Sequence, residues 1–264
     1  MILNQFKKIR NYSIAAICLV IGMVMINKDL SSLSLLSSLK DYGRYYFTDF
    51  KNDIKEIENT FGLKIDYLVS PNFILSPWNK APFNGEATQI SDFELSRFIQ
   101  LLPNILGKYP KSVISESIDR LAFSQELTFY GVPYGGTNLE RTLYLTNKGR
   151  QAGFNDTYLQ ELFHHEMSSL LMNKFPFNSK QWAGANPKKF QYKNETIEIL
   201  NAVKNNSAAL GDRDLYRQGF LSKYAQSTLE NDFNVYVENI FVHPETIQDL
   251  ISQYPIINTK YQLV

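Results

Sequence analysis

The sequence predicts an α+β fold, mainly helical, with a small mixed sheet. Two patterns predict it. Apolar residues recur at three- and four-residue spacing through most long segments, as one face of a helix requires. Short alternating runs, Lys64 to Val69 and Arg141 to Thr146, interrupt them and read as strands. A chain of 264 residues with 44% hydrophobic content can bury a full core around such elements.

Lys7, Lys8 and Arg10 precede an apolar run from Tyr12 to Ile26, which Lys28 and Asp29 end. A basic flank before a short apolar core is the pattern of an export signal. With no small-x-small cleavage site after it, residues 1–29 read as an uncleaved signal-anchor. The positive-inside rule then puts residues 30–264 outside the cytoplasm, membrane-anchored in the cell envelope. The Ser- and Leu-rich stretch 30–42 reads as a tether or a packed first helix.

From Tyr46 to Phe61, apolar Phe47, Phe50, Ile54, Ile57 and Phe61 predict a helix that Gly62 stops. Residues 70–90 hold Pro71, Pro77, Pro82 and Gly85 and read as loop. Helices follow at Ser91 to Tyr109, kinked or split at Pro103, and at Ser112 to Ala122. Strands from Leu127 to Val132 and from Arg141 to Thr146 flank the turn-rich Pro133-Tyr134-Gly135-Gly136-Thr137. Asn155-Asp156-Thr157 can cap a helix running to about Asn173, with Leu159, Phe163 and Leu170 toward the core. Residues 174–192 read as irregular, Glu195 to Lys204 as helix, and Leu229 to Phe241 as a late helix behind a Ser227-x-x-Glu230 capping box. Leu229, Phe233, Tyr236, Val237 and Ile240 are its core stripe, and Pro244 opens another helix.

Composition narrows the chemistry. Lys+Arg 27 against Asp+Glu 26, with no basic segment beyond the first ten residues, excludes a nucleic-acid footprint. The single cysteine, Cys18, lies in the apolar run, so disulfides and thiolate sites are excluded downstream. The histidines are His164, His165 and His243. Any multi-histidine site must use nearly all of them.

Glu161-Leu-Phe-His164-His165-Glu166-Met-Ser-Ser169 therefore matters most. A zinc-peptidase helix carries two histidines four residues apart, with a glutamate after the first to polarise the metal-bound water. Here His165-Glu166 fits the first half, and Ser169 stands where the second histidine should be. A serine hydroxyl is a poor zinc ligand. On spacing alone, the pair reads more readily as a partly buried His165 with a satisfied hydrogen bond and a Glu166 on a solvated face. Glu161-x-x-His164 resembles half of a di-iron site, but Ile240 precedes His243 where a second such pair needs glutamate. Gly-x-Ser-x-Gly is absent.

These residues, with Gly219-Phe-Leu-Ser-Lys-Tyr224 before Glu230-Asn231-Asp232-Phe233, make residues 125–242 resemble a zincin. The specific likeness is to the zinc-binding metallopeptidase families of bacterial envelope proteins, distantly similar to anthrax lethal factor. The resemblance implies a zincin-like domain over 30–264, with a helical lobe to about residue 125 and the cleft in 125–242. It implies zinc as cofactor, His165 as ligand, Glu166 as general base and Tyr224 as the stabiliser of the oxyanion. It makes Leu143, Tyr144 and Leu145 the edge strand for an extended peptide, and puts the third ligand at Asn231. Ser169 and Asn231 both depart from the pattern, which argues against hydrolysis. Three readings stay open: an envelope-anchored peptide binder that has lost its zinc; a hydrolase whose ion is held by His164, His165 and an acidic residue within 230–232; and a structural envelope protein.

Overall fold

Leu121, Leu143 and Leu145, all fully buried, stand on two parallel strands at the middle of the larger sheet, and the rest of the fold is arranged around them. The computed structural model describes residues 50–193 and 213–264. The anchor expected over 1–29, the segment 30–42 and the helix expected from Glu195 to Lys204 lie outside them. Among the described residues no helix is long and apolar enough to cross a membrane.

Helix α1 (Phe50–Phe61) buries Ile54, Ile57 and Phe61, and Gly62 follows it with φ +71°. That left-handed turn suits glycine, and it delivers the chain into β1 (Lys64–Asp66). A short β2 (Glu86–Thr88) ends the proline-rich segment that reads as loop from its composition. Helix α2 (Asp92–Leu106) is capped by Ser91, whose hydroxyl accepts from the Glu94 amide. Pro103 neither splits nor ends it. Leu102, Ile105 and Leu106 are fully buried, and that packing carries the helix one turn past the lost hydrogen bond.

Helix α3 (Lys111–Ser117) stops short of the expected Ala122, because Arg120–Ser124 is strand β3. β3 lies between β1 and the strand that follows the hairpins, parallel to both. A strand covered on both faces carries a continuous apolar run, and Leu121-Ala122-Phe123 continues the spacing of the helix before it. The turn-rich segment is also more ordered than its composition implies. It yields β5 (Val132–Tyr134) and β6 (Gly136–Leu139) after β4 (Glu126–Phe129), and β7 (Thr142–Thr146) follows.

The four-stranded sheet has the order β1-β3-β7-β6, with β6 antiparallel at the edge. Leu143, Tyr144 and Leu145 are thus not an edge strand. β7 is flanked by β3 and β6, and all five of its residues are buried. The smaller antiparallel sheet has the order β2-β4-β5 and packs Phe73, Leu127 and Phe129 around Tyr144.

Helix α4 (Asp156–Lys174), capped by the Asn155 side chain on the Tyr158 amide, joins the main core through Leu159, Leu162, Phe163, Met167 and Leu170. Each such side chain contributes roughly 1.5–3 kcal/mol. Two short helices follow, α5 (Ser179–Gly184) in a segment that reads as irregular, and α6 (Arg213–Arg217). Helices α7 (Leu229–Val242), α8 (Pro244–Gln253) and α9 (Pro255–Tyr261) close the chain around a second core of Trp182, Phe220, Phe233 and Tyr236. The α7 cap is Thr228, whose hydroxyl accepts from the Asn231 amide. Ser227 instead donates to Tyr224 O, so the expected capping box does not form.

Candidate functional site

Helices α4 and α7 run antiparallel along a polar seam. Three contacts fix the direction: Glu161 Oε1 to His243 Nε2 at 2.5 Å, His165 Nδ1 to Glu238 Oε2 at 3.1 Å, and Asn234 Nδ2 to Ser169 Oγ at 2.7 Å. Ser168 Oγ adds a bond to Asn234 Oδ1 at 2.6 Å and another to His165 O at 2.8 Å. Residues 161, 165 and 168/169 share one face of α4 because they lie three or four apart. The face toward the sheet is apolar, so the polar one meets α7.

His165 and Glu238 are nearly buried, with side chains 13% and 10% exposed. Burial opposes charging the imidazole. The hydrogen bond and charge of Glu238, helped by Glu166 and Glu230, outweigh it and raise the His165 pKa above 6.5. Glu166 is also buried, and burial pushes its carboxyl up against the pull of His165 and of Asn138, whose Nδ2 donates to Oε2 at 3.1 Å. Strand β6 reaches this carboxylate because Gly136 has no side chain. A Cβ there would stand 2.8 Å from Leu162 Cδ1 and 3.0 Å from Glu166 Cγ.

Tyr224 sits in a single 3-10 turn, Tyr224–Gln226, with its ring 5.7 Å from that of His165. Burial and the charges of Glu166, Glu238 and Glu230 raise its pKa, so its hydroxyl stays a proton donor. Burial pushes Tyr158 up to about 12, with the charges of Glu238, Glu166 and Glu161 adding to it. His165, Glu166 and Tyr224 are thus brought together, with Glu238, Asn138 and Tyr158 added by the fold.

His164 is not part of this group. It is fully buried on the other side of α4, its Nδ1 2.7 Å from Tyr109 Oη and its ring stacked 4.5 Å from Phe241. Burial, then Lys108, lowers its pKa to about 3, so it is a neutral aromatic. Adjacent residues of a helix point about 100° apart, and the packing uses that angle to separate them. Asn231 Nδ2 donates to Ser227 Oγ at 2.8 Å. The residue opposite Ser169 is Asn234, one turn further along α7. Asp232 faces away, buried with Lys260 at 2.6 Å. An ion shared by His164, His165 and an acid within 230–232 therefore has no geometric basis in His164 or Asp232.

These residues do not fit a catalytic zinc. Of the expected ligand positions, His165 alone offers a strong donor, and the serine one turn on is bonded to an amide. Among the described residues no three His, Cys, Asp or Glu side chains are grouped to hold a metal. Nor is His165 a base for a serine: Ser168 and Ser169 bond to Asn234 and the His165 carbonyl, and the imidazole partner is Glu238. What remains chemically is a carboxylate–imidazole pair beside a buried glutamate, whose pKa burial raises, and a phenol.

Glu238 and Asn234 were beyond the reach of the motif. The only signal for them is a Glu at 238 one helical turn from Asn234 in a stripe otherwise apolar. No family model matches the sequence, and no curated protein does. One solved structure is similar, that of a "putative zinc-binding metallo-peptidase" from Bacteroides caccae. It is 17% identical over 81% of this chain and 82% of its own, with a TM-score of 0.42.

Proposed function

We propose that this chain is an envelope-anchored, metallopeptidase-like protein that lacks a competent zinc site and uses its cleft to hold an extended peptide along β6. The observation that carries the loss of zinc is the Ser168–Asn234–Ser169 interlock. The ligand position one turn after His165 is there committed to holding α7 on α4. The peptide follows from the edge strand. Gly135 O accepts from Thr146 N, which sets the ladder phase. Gly136 and Asn138 then point their amides and carbonyls away from β7, and neither makes another backbone bond among the described residues. Such an edge, beside Glu166, is a template for an added strand. Anchoring is supported by Lys7, Lys8, Arg10 and the apolar run behind them.

Calorimetric titration of the full chain with zinc tests the reading. The wild type should bind weakly and show no metal-dependent proteolysis. Ser169→His with Asn234→Glu places two strong ligands next to His165, and affinity should rise on the order of a hundredfold or more. Tight stoichiometric zinc in the wild type, lost in His165→Ala, overturns it.

A further inference from the structure

Lys260 projects from α9 into the second core and is wholly buried, and the carboxylate it meets, Asp232 of α7, is buried as completely. Its Nζ stands 2.6 Å from Asp232 Oδ2 and 2.9 Å from Gly219 O. The ring centres of Phe220, Trp182 and Tyr236 lie 4.2, 5.5 and 5.7 Å from it. An ion pair this dry gains little over apolar residues of the same volume, because both charges have lost their water. Burial lowers the Lys260 pKa and raises that of Asp232, each against the pull of its partner. The pair is thereby drawn toward neutral amine and carboxylic acid.

The carboxylate is also served on one oxygen only. Oδ2 accepts from Lys260 Nζ, from Trp182 Nε1 at 3.0 Å and from Tyr192 Oη at 2.5 Å. Oδ1 is buried and has no hydrogen-bond partner among the described residues. A buried oxygen left unsatisfied is costly. Replacing Oδ1 by Nζ removes that cost: Oδ2 becomes an amide carbonyl held by Trp182 and Tyr192, and the N–H that remains faces Gly219 O.

We propose that Lys260 and Asp232 join as an intramolecular amide, a covalent cross-link between α9 and α7. The Nζ lone pair attacks Cγ, the Nζ–Cγ bond forms and the Cγ–Oδ1 bond breaks. Of the three ammonium hydrogens, two leave on Oδ1 as water and the third stays on the amide nitrogen. Ammonium and carboxylate thus give amide and water, with no oxidant and no further reactant. Trp182 Nε1 and Tyr192 Oη stabilise the negative charge that gathers on Oδ2 during attack, as an oxyanion hole does. The ion pair is the state from which the bond forms, and the dry aromatic surroundings keep water from reversing it. The cross-link is independent of zinc and of any peptide on β6.

The test is mass spectrometry of the folded full chain, unfolded in guanidinium chloride and then cleaved after glutamate. Cuts after Glu230, Glu238 and Glu245 free residues 231–238, which hold Asp232, and 246–264, which hold Lys260. The wild type should yield one branched peptide of both segments, lighter by one water than their sum. Lys260→Arg keeps the positive charge without the nucleophile and should yield two separate peptides. Wild-type segments that separate at full mass overturn the cross-link, as does a water loss that persists in Lys260→Arg. Amine labelling of the unfolded wild type is a check that needs no variant. Lys223 should react and Lys260 should not, and label on Lys260 overturns the proposal.

Discussion

Helix α7 carries two buried polar arrangements on opposite sides, and they are built on different principles. Toward α4 lies the seam: neutral hydroxyls and amides at Ser168, Ser169 and Asn234, with imidazole–carboxylate pairs above them. Away from α4 lies a sealed knot. Asp232 Oδ2 accepts from Lys260 Nζ at 2.6 Å, Trp182 Nε1 at 3.0 Å and Tyr192 Oη at 2.5 Å. The ammonium stands 4.2 Å from the Phe220 ring centre and also donates to Gly219 O. Both Lys260 and Asp232 side chains are wholly out of solvent. The knot stakes folding on a single charge pair, whereas the seam spreads its contacts over groups that can change protonation. A helix can thus hold a rigid face and a titratable one.

Removing one partner from the knot should have the largest effect. Lys260→Met strands a buried carboxylate and should cost about 3–5 kcal/mol in chemical denaturation. Adding Asp232→Asn should recover part of the loss. If the single variant costs no more than a surface change, the two faces do not differ as described.

Glu238→Gln should have a smaller, pH-dependent effect. The folded His165 pKa is raised, so its stabilisation is fully present below its ordinary 6.5 and is lost as pH rises through the folded value. The Glu238 carboxyl is itself raised by burial, so its ionisation also costs the fold at higher pH. The variant should lose roughly 1.5–3 kcal/mol near pH 6, shrinking steadily toward pH 9. Denaturation curves at several pH values measure this, and a pH-independent loss would contradict the seam's titratable character.

Glu166→Gln should have the smallest effect, with the opposite sign. A carboxyl raised by burial favours folding while it is protonated, below its ordinary 4.5, and that advantage disappears as pH rises. Glutamine keeps the acceptor for Asn138 and cannot ionise. It should gain up to about 1 kcal/mol at pH 8 and nothing at pH 4. A net loss at pH 8 would place Glu166 in a structural role.

The part of this legible in the sequence is local. The α4 helix is written in its Asn155 cap and in the spacing of Leu159, Phe163 and Leu170, and the nearness of His165 to Glu166 needs no tertiary knowledge. β3 is not legible, because a strand buried on both faces has no alternation to separate it from a helix. β6 hides among turn residues, since its glycine serves a close approach to α4 and not a bend. The partners of the site depend on helix register. A motif spacing points to Asn231, while the antiparallel docking of α7 puts Asn234 and Glu238 opposite the α4 residues, and no single-chain periodicity encodes that offset.

The bond from Lys260 back to Asp232 also fixes an order of events. Lys260 is made 28 residues after its partner. As a chain emerges during synthesis, α7 can form its helix and dock its seam residues early, but Asp232 has no cation until the last helix appears. The Trp182 side of α7 therefore cannot complete its buried charge pair until Lys260 has been made. In a growing chain the knot around Asp232 closes only after Lys260 appears, and the delay is set by the distance between two residues in the message.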